Sequence, residues 1–157
     1  MNASPRWTQP AVIRHSELLA RSLRHWTRRD LTAGNPTGEE LARALFEAPF
    51  VLVSHGTEAD PVLNYGNQTA LNLWQLDWDA FTRLPSRYTA EAPNRDERAR
   101  LLEAVTRQGY IDDYSGVRIS STGRRFRIAR ATVWNLVNLD GTRAGQAAMF
   151  DQWQFED

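Results

Sequence analysis

Six side chains in this sequence have the chemistry of a small-molecule pocket. Gln146 stands in the run RAGQAAMF, where Ala144, Gly145, Ala147 and Ala148 leave room around it. Its amide donates and accepts at once, which suits reading the polar edge of a ligand. The volume left by the small neighbours is filled either by an aromatic side chain from a facing helix, such as Trp74 or Trp78, or by a bound ring. Asn64 offers a second amide, although an Asn at a strand end also bonds its own backbone. Trp134 reads first as a core residue and second as a wall that stacks on a planar ligand. His55, between an apolar run and Gly56, has the plain reading of a loop histidine titrating near neutral pH. Its functional reading places it with Tyr65 at a pocket mouth, sensing protons or donating a hydrogen bond.

The arrangements that catalysis needs are missing from the sequence. Asp112 and Asp113 are neighbours in an extended run, so they point to opposite faces and cannot converge on one atom. Ser115, Ser120 and Ser121 lack a nucleophile-elbow context, and the glycines fit neither a P-loop nor a dinucleotide fingerprint. Cysteine is absent, which excludes disulfides, thiolate metal sites and thiol–flavin adducts. Only His15, His25 and His55 are available as imidazole ligands, without a His-x-x-x-His pair, so no metal site is expected.

Hydrophobic periodicity supplies the elements that hold these residues. Residues 8–29 place Val12, Leu19, Leu23 and Trp26 at helical spacing with arginines elsewhere, an amphipathic helix. Thr37 and Glu40 spell a capping box for a second helix that stops before Pro49. FVLVS at 50–54 and PVLNY at 61–65 form a hairpin, Asn67 and Asp77 cap two short helices, and Pro93–Asn94 with Glu97 starts a longer one carrying Leu101, Leu102 and Val105. Segments 110–120, 125–137 and 143–153 are β-rich and separated by glycine turns at Gly123 and Gly141, which predicts an antiparallel meander. In 125–137, Phe126, Ile128, Trp134 and Leu136 share a parity and are expected to face the helices, with Arg125 and Arg127 outward. The fold class is therefore α+β: a five-stranded antiparallel sheet with short helices on one face, preceded by N-terminal helices. The division is a helical extension at 1–48 and a sheet domain at 49–157.

A chain of 157 residues with 41% apolar and 24% charged residues fits a single globular core. No apolar run spans a membrane and the N-terminus has no signal-like pattern, so a cytoplasmic location is expected. The formal net charge is zero, which argues against direct nucleic-acid binding. Within that balance, Arg118, Arg124, Arg125, Arg127 and Arg130 gather on one hairpin. They are either a patch for an acidic surface on another copy or a guarded sheet edge.

The element order β-β-α-α-α-β-β-β resembles that of PAS domains, with Asn67 matching an Asn common at the strand–helix junction. More specifically, VLVSHGTEADPVLNYGNQTALNLW, LPSRYTAE, YIDDYSGVRISSTGRRFRI and ATVWNL resemble the MEKHLA domain, a PAS-like family, over residues 50–153. The resemblance implies a sensory or ligand-binding domain, responsive to a small molecule, light, oxygen or redox state. It does not bring a cofactor: the thiol–flavin motif lacks its cysteine, and 94–109 lacks the axial histidine of haem-binding PAS domains. The expected function is a PAS-like sensor for a small organic ligand, signalling through partner contacts or a homodimer docked by the N-terminal helix. The alternatives are a ligand-free interaction module presenting Trp78, Phe81 and the arginine hairpin, and, last, a small enzyme using His55 or a buried carboxylate.

Overall fold

A computed structural model describes residues 4–156, with only the backbone described at 92–94. Helix α1 (Pro10–Thr27) has proline in its first turn, where the missing N–H costs nothing, and ends at Arg28 in the left-handed region. Helix α2 (Gly38–Phe46) follows, but the expected capping box does not form, because Thr37 makes no side-chain cap bond. Gly38 enters the helix with φ 59°, outside the geometry that the box requires.

The hairpin is β1 (Val51–His55) and β2 (Leu63–Gly66); α3 (Gln68–Trp74), α4 (Trp78–Phe81) and α5 (Ala92–Gln108) then lead to β3 (Tyr110–Ile119), β4 (Arg125–Val137), β5 (Arg143–Phe150) and β6 (Gln152–Glu156). The expected caps at Asn67 and Asp77 are made, to the amides of Ala70 and Ala80. The start of α5 expected at Pro93–Asn94 falls one residue earlier, at Ala92, with Glu91 as the N-cap and no side-chain cap bond. All strands are antiparallel in the order β2-β1-β5-β4-β3, so the hairpin and the meander join through the β1–β5 pair.

The sheet has six strands where five were expected because the last one is broken at Asp151, between Phe150 and Gln152. Opposite the break, Arg130 of β4 takes φ 56°. The pairs Thr132↔Met149 and Ala129↔Gln152 flank the break three residues apart on each strand, so the register continues through it. The side chains change face there. Phe126 packs edge-on against Trp74 of α3, whereas Trp134 pairs with Ala147, which is beside Ser54, the partner of His15 on α1. Directly paired residues share a face. The single-parity reading of β4 is thus corrected: Phe126 and Ile128 face α3–α5, while Trp134 and Leu136 face α1.

Both faces of the sheet are consequently covered. Val12, Leu19 and Leu23 are 5%, 0% and 1% exposed against the chain's own sheet, which removes this apolar stripe as a means of docking on a second protomer. Polar contacts pin α1 there: His15 Nε2 to Ser54 Oγ (2.8 Å), Trp26 Nε1 to the Asn135 carbonyl (2.9 Å) and the Val137 amide to Ser22 Oγ (2.8 Å), and just past the helix end Arg29 pairs with Asp112 (3.3 Å). The junction between α2, β1 and α3 is organised by Asn67, which is fully buried. Its Oδ1 accepts from the amides of Leu52 and Ala70, and its Nδ2 donates to the carbonyls of Leu45 and Phe50.

Candidate functional site

Between the concave face of the sheet and helices α3–α5 lies a cavity of about 80 Å³. Its apolar wall comes from β1 (Val53), β4 (Ile128, Ala131, Val133) and β5 (Ala148, Phe150), whose alternate residues the two strand breaks keep on this side. The roof is Trp74, Phe81 and Leu101. Trp74 holds its place by edge-on contacts with Phe126 at 5.2 Å and Phe150 at 6.4 Å, each worth about 1 kcal/mol beyond area burial. The polar lining is His55, Ser86, Thr89, Arg98, Tyr114 and Arg118.

Two of these groups lack the partners that burial demands. His55 donates from Nδ1 to its neighbour's carbonyl, Gly56 O, at 2.9 Å, which leaves Nε2 as a bare acceptor, and that atom is buried without a partner. Burial pushes the imidazole pKa below its usual value, opposed in part by the Gly56 bond, so the ring is neutral at pH 7. Trp74 Nε1 is likewise a buried donor without an acceptor. Such groups are uncommon in folded proteins and costly. Arg98 is 7% exposed and gives one hydrogen bond to Ser86 Oγ. Burial, and then the charge of Arg118, lower its pKa to about 10, which still leaves it charged at neutral pH. Arg118 bonds the Val117 carbonyl and, at 3.4 Å, the Tyr114 hydroxyl.

Of the six residues singled out in the sequence, His55 and Trp74 line this cavity. Gln146 is on the same face, paired with His55, but the two hydrogens of its Nε2 are shared among three acceptors, the Leu102 carbonyl (2.9 Å) and Thr106 Oγ1 (3.0 Å) of α5 and Asn135 Oδ1 (3.0 Å) of β4. Asn135 completes the clamp by donating to the Val105 carbonyl at 3.0 Å. Gln146→Leu, which keeps the bulk and removes the donor, is expected to lower the unfolding free energy by about 1–2 kcal/mol in urea titrations. Trp134, Tyr65 and Asn64 lie away from the cavity. Trp134 and Tyr65 face α1, with Tyr65 stacked on His15 at 5.5 Å, and the exposed Asn64 accepts from Ser54 Oγ at 2.6 Å. The small residues around Gln146 have separate reasons: Ala148 opens the cavity, Ala147 lies beside Trp134, and a Cβ on Gly145 would stand 2.1 Å from the His55 carbonyl oxygen.

The surfaces expected of an interaction module are altered as well. Phe81 is fully buried and Trp78 is half-buried beneath Arg6. The arginine hairpin is largely engaged: Arg125 pairs with Glu91, Arg127 with Glu156 at 2.9 Å, Arg124 stacks on Phe155, and Arg118 turns into the cavity. The sequence offers Arg118 only as part of the surface hairpin and does not single out Arg98, although Arg98 falls on the stripe of Leu101, Leu102 and Val105.

No group of three or more His, Asp or Glu side chains is placed to hold a metal among the described residues. A flavin or haem does not fit the cavity either. Taking about 10–15 Å³ per water-sized atom, 80 Å³ admits roughly five to eight heavy atoms, far below either cofactor. No helix of the described residues is long and apolar enough to cross a membrane.

Comparison with solved structures supports the fold assignment. A PAS domain from Colwellia psychrerythraea superposes with a TM-score of 0.64 at 11% identity, over 75% of this chain and 95% of that one. A light-oxygen-voltage domain studied with a flavin analogue superposes with a TM-score of 0.58 at 14% identity, over 75% and 85%. Among curated proteins, homeobox-leucine zipper protein ATHB-14 of Arabidopsis thaliana is 28% identical over 152 residues, which is 94% of this chain and 18% of that protein. HOX29 of Oryza sativa subsp. indica is 25% identical over 122 residues, 77% of this chain and 14% of its own length. The chain thus spans less than a fifth of these relatives. The model of the MEKHLA domain matches residues 13–155, reaching into α1 beyond the stretch where the resemblance was read. With a PAS-like sheet, a roofed cavity and that match along most of its length, the chain belongs to the MEKHLA domain family.

Proposed function

We propose that this protein is a cytoplasmic sensory domain that binds a small organic molecule in the concave-face cavity and passes its state to a partner or a second copy. The observation that carries the reading is the pair of orphaned polar atoms, His55 Nε2 and Trp74 Nε1, belonging to side chains that line a cavity with an apolar wall and a cluster of polar groups. Buried polar atoms without a partner also occur away from the cavity, at Tyr65 Oη, Trp134 Nε1 and Gln146 Oε1, but these two belong to its lining, where a ligand with complementary polar atoms would satisfy them. Contact with another chain would use the polar face of α1, including Arg14, Glu17 and Arg21, since the apolar face is already covered.

Ala148→Leu provides the test, because its side chain extends into the cavity. The variant is expected to be more stable by about 1 kcal/mol through cavity filling. It is also expected to lose binding of small fragments detected by ligand-observed NMR with the unaltered protein. A fragment panel silent on the unaltered protein, or binding undiminished by Ala148→Leu, would sink the assignment.

A further inference from the structure

Arg98 projects from α5 and Arg118 from β3 into the same cavity, 7% and 9% exposed. Neither forms an ion pair with a carboxylate among the described residues, and a neighbouring acid, Asp60, is paired with Arg87 at 3.2 Å. Two like charges brought out of water side by side are costly unless an anion joins them. Each guanidinium has five N–H donors, most of which lack an acceptor among the described residues: there Arg98 bonds Ser86 Oγ, and Arg118 the Val117 carbonyl and Tyr114. Because Ser86 Oγ accepts from Arg98, its own hydrogen is a further donor. The cavity therefore combines a cluster of donors and positive charge with a predominantly apolar wall.

We propose that the cavity takes a short aliphatic monocarboxylate, its carboxylate held by Arg98 and Arg118 and its chain packed against Val53, Ile128 and Phe150. This rests on the reading of the cavity as a ligand site and names what that site takes. Planar guanidinium forks match the two oxygens of a carboxylate. An inorganic oxyanion would leave the apolar wall unfilled, and the capacity of roughly five to eight heavy atoms suits a four- to six-carbon acid. His55 Nε2, which can only accept while the ring is neutral, disfavours a second carboxylate and rewards a hydroxyl instead.

The probe is pentanoate, titrated into the full chain and followed by the methyl resonances of Val53, Ile128 and Ala148 and the Nε–Hε signal of Arg98. Saturable shifts are expected, with pentanamide, glutarate and inorganic phosphate each at least about tenfold weaker. Arg98→Gln and Arg118→Gln are each expected to weaken pentanoate about tenfold. The comparison of pentanoate with pentanamide on the unaltered protein needs no variant to fold. If pentanamide binds as tightly as pentanoate, the charge assignment fails while the ligand cavity stands. If phosphate moves the Arg98 signal and no acid moves the methyls, the site is an inorganic-anion site and the proposal fails. If none of the probes moves any of these signals, the carboxylate proposal fails, and fragment binding decides the fate of the broader reading.

Discussion

Asn67→Ala is expected to lower the unfolding free energy by about 4 kcal/mol or more, and Asn67→Asp to leave little folded protein at neutral pH. The side chain is fully buried and serves four backbone groups from three elements: the Leu45 carbonyl at the end of α2, the Phe50 carbonyl and Leu52 amide at β1, and the Ala70 amide in the first turn of α3. Alanine removes the side-chain partner of two donors and two acceptors in a dry site, the Leu45 carbonyl keeping the Ala48 amide at 3.4 Å, and each group stranded costs about 1–3 kcal/mol, only partly additive. Aspartate keeps the acceptor but turns an oxygen toward two carbonyl oxygens and introduces a buried charge. A domain of this size is stable by only about 5–15 kcal/mol, so either change is a large fraction of the total. Urea titration against the exposed control Asn72→Ala, whose partner is the exposed Gln68, checks this, and a loss below about 1 kcal/mol for Asn67→Ala would contradict the hub.

Stability is also expected to fall as pH drops from about 6.5 toward 4, with His15 as the main source. His15 Nε2 lies 2.8 Å from Ser54 Oγ, whose hydrogen goes to Asn64 Oδ1, so the imidazole is the donor in that chain. It is packed beside Tyr65 with no carboxylate contact among the described residues, and burial lowers its pKa from 6.5 to about 4. The sign follows from proton uptake. Above pH 6.5 the ring is neutral in both states; below it the unfolded chain takes up a proton that the folded chain refuses, so the unfolded state gains. The full window is worth about 3 kcal/mol at 1.36 kcal/mol per pKa unit. His55 is shifted the same way and adds to the slope. Glu91 and Asp112 have lowered pKa values, so their contribution is lost only below the ordinary carboxylate range, and comparing pH 7.5 with 5.0 isolates the histidines. His15→Gln should flatten that difference by about 2 kcal/mol; an unchanged slope would remove His15 from the account.

The sheet was legible in the sequence because alternation, turn glycines and Asx caps are local signals. Asn67 and Asp77 do what their positions foretold, and the hairpin at 51–66 joins the terminal strands as expected. What stayed hidden is non-local. The left-handed residue at Arg130 has no compositional mark, so the parity of Trp134 was carried through a break that reverses it. The stripe of α1 reads the same whether it meets its own sheet or another molecule's, and the contacts of His15, Ser22 and Trp26 decide. Arg98 did leave a trace, an arginine on an apolar helical face, but such residues usually extend to solvent and only the fold shows this one turned inward.

The coincidence of Arg130 with Asp151 constrains how sequences of this kind can vary. A deletion that straightened one strand alone would slide every rung beyond it and expose Phe126 and Ile128 in exchange for charged neighbours. Length changes along these two strands must therefore arrive as matched pairs, and a lone single-residue gap in either is the kind of change this architecture cannot absorb.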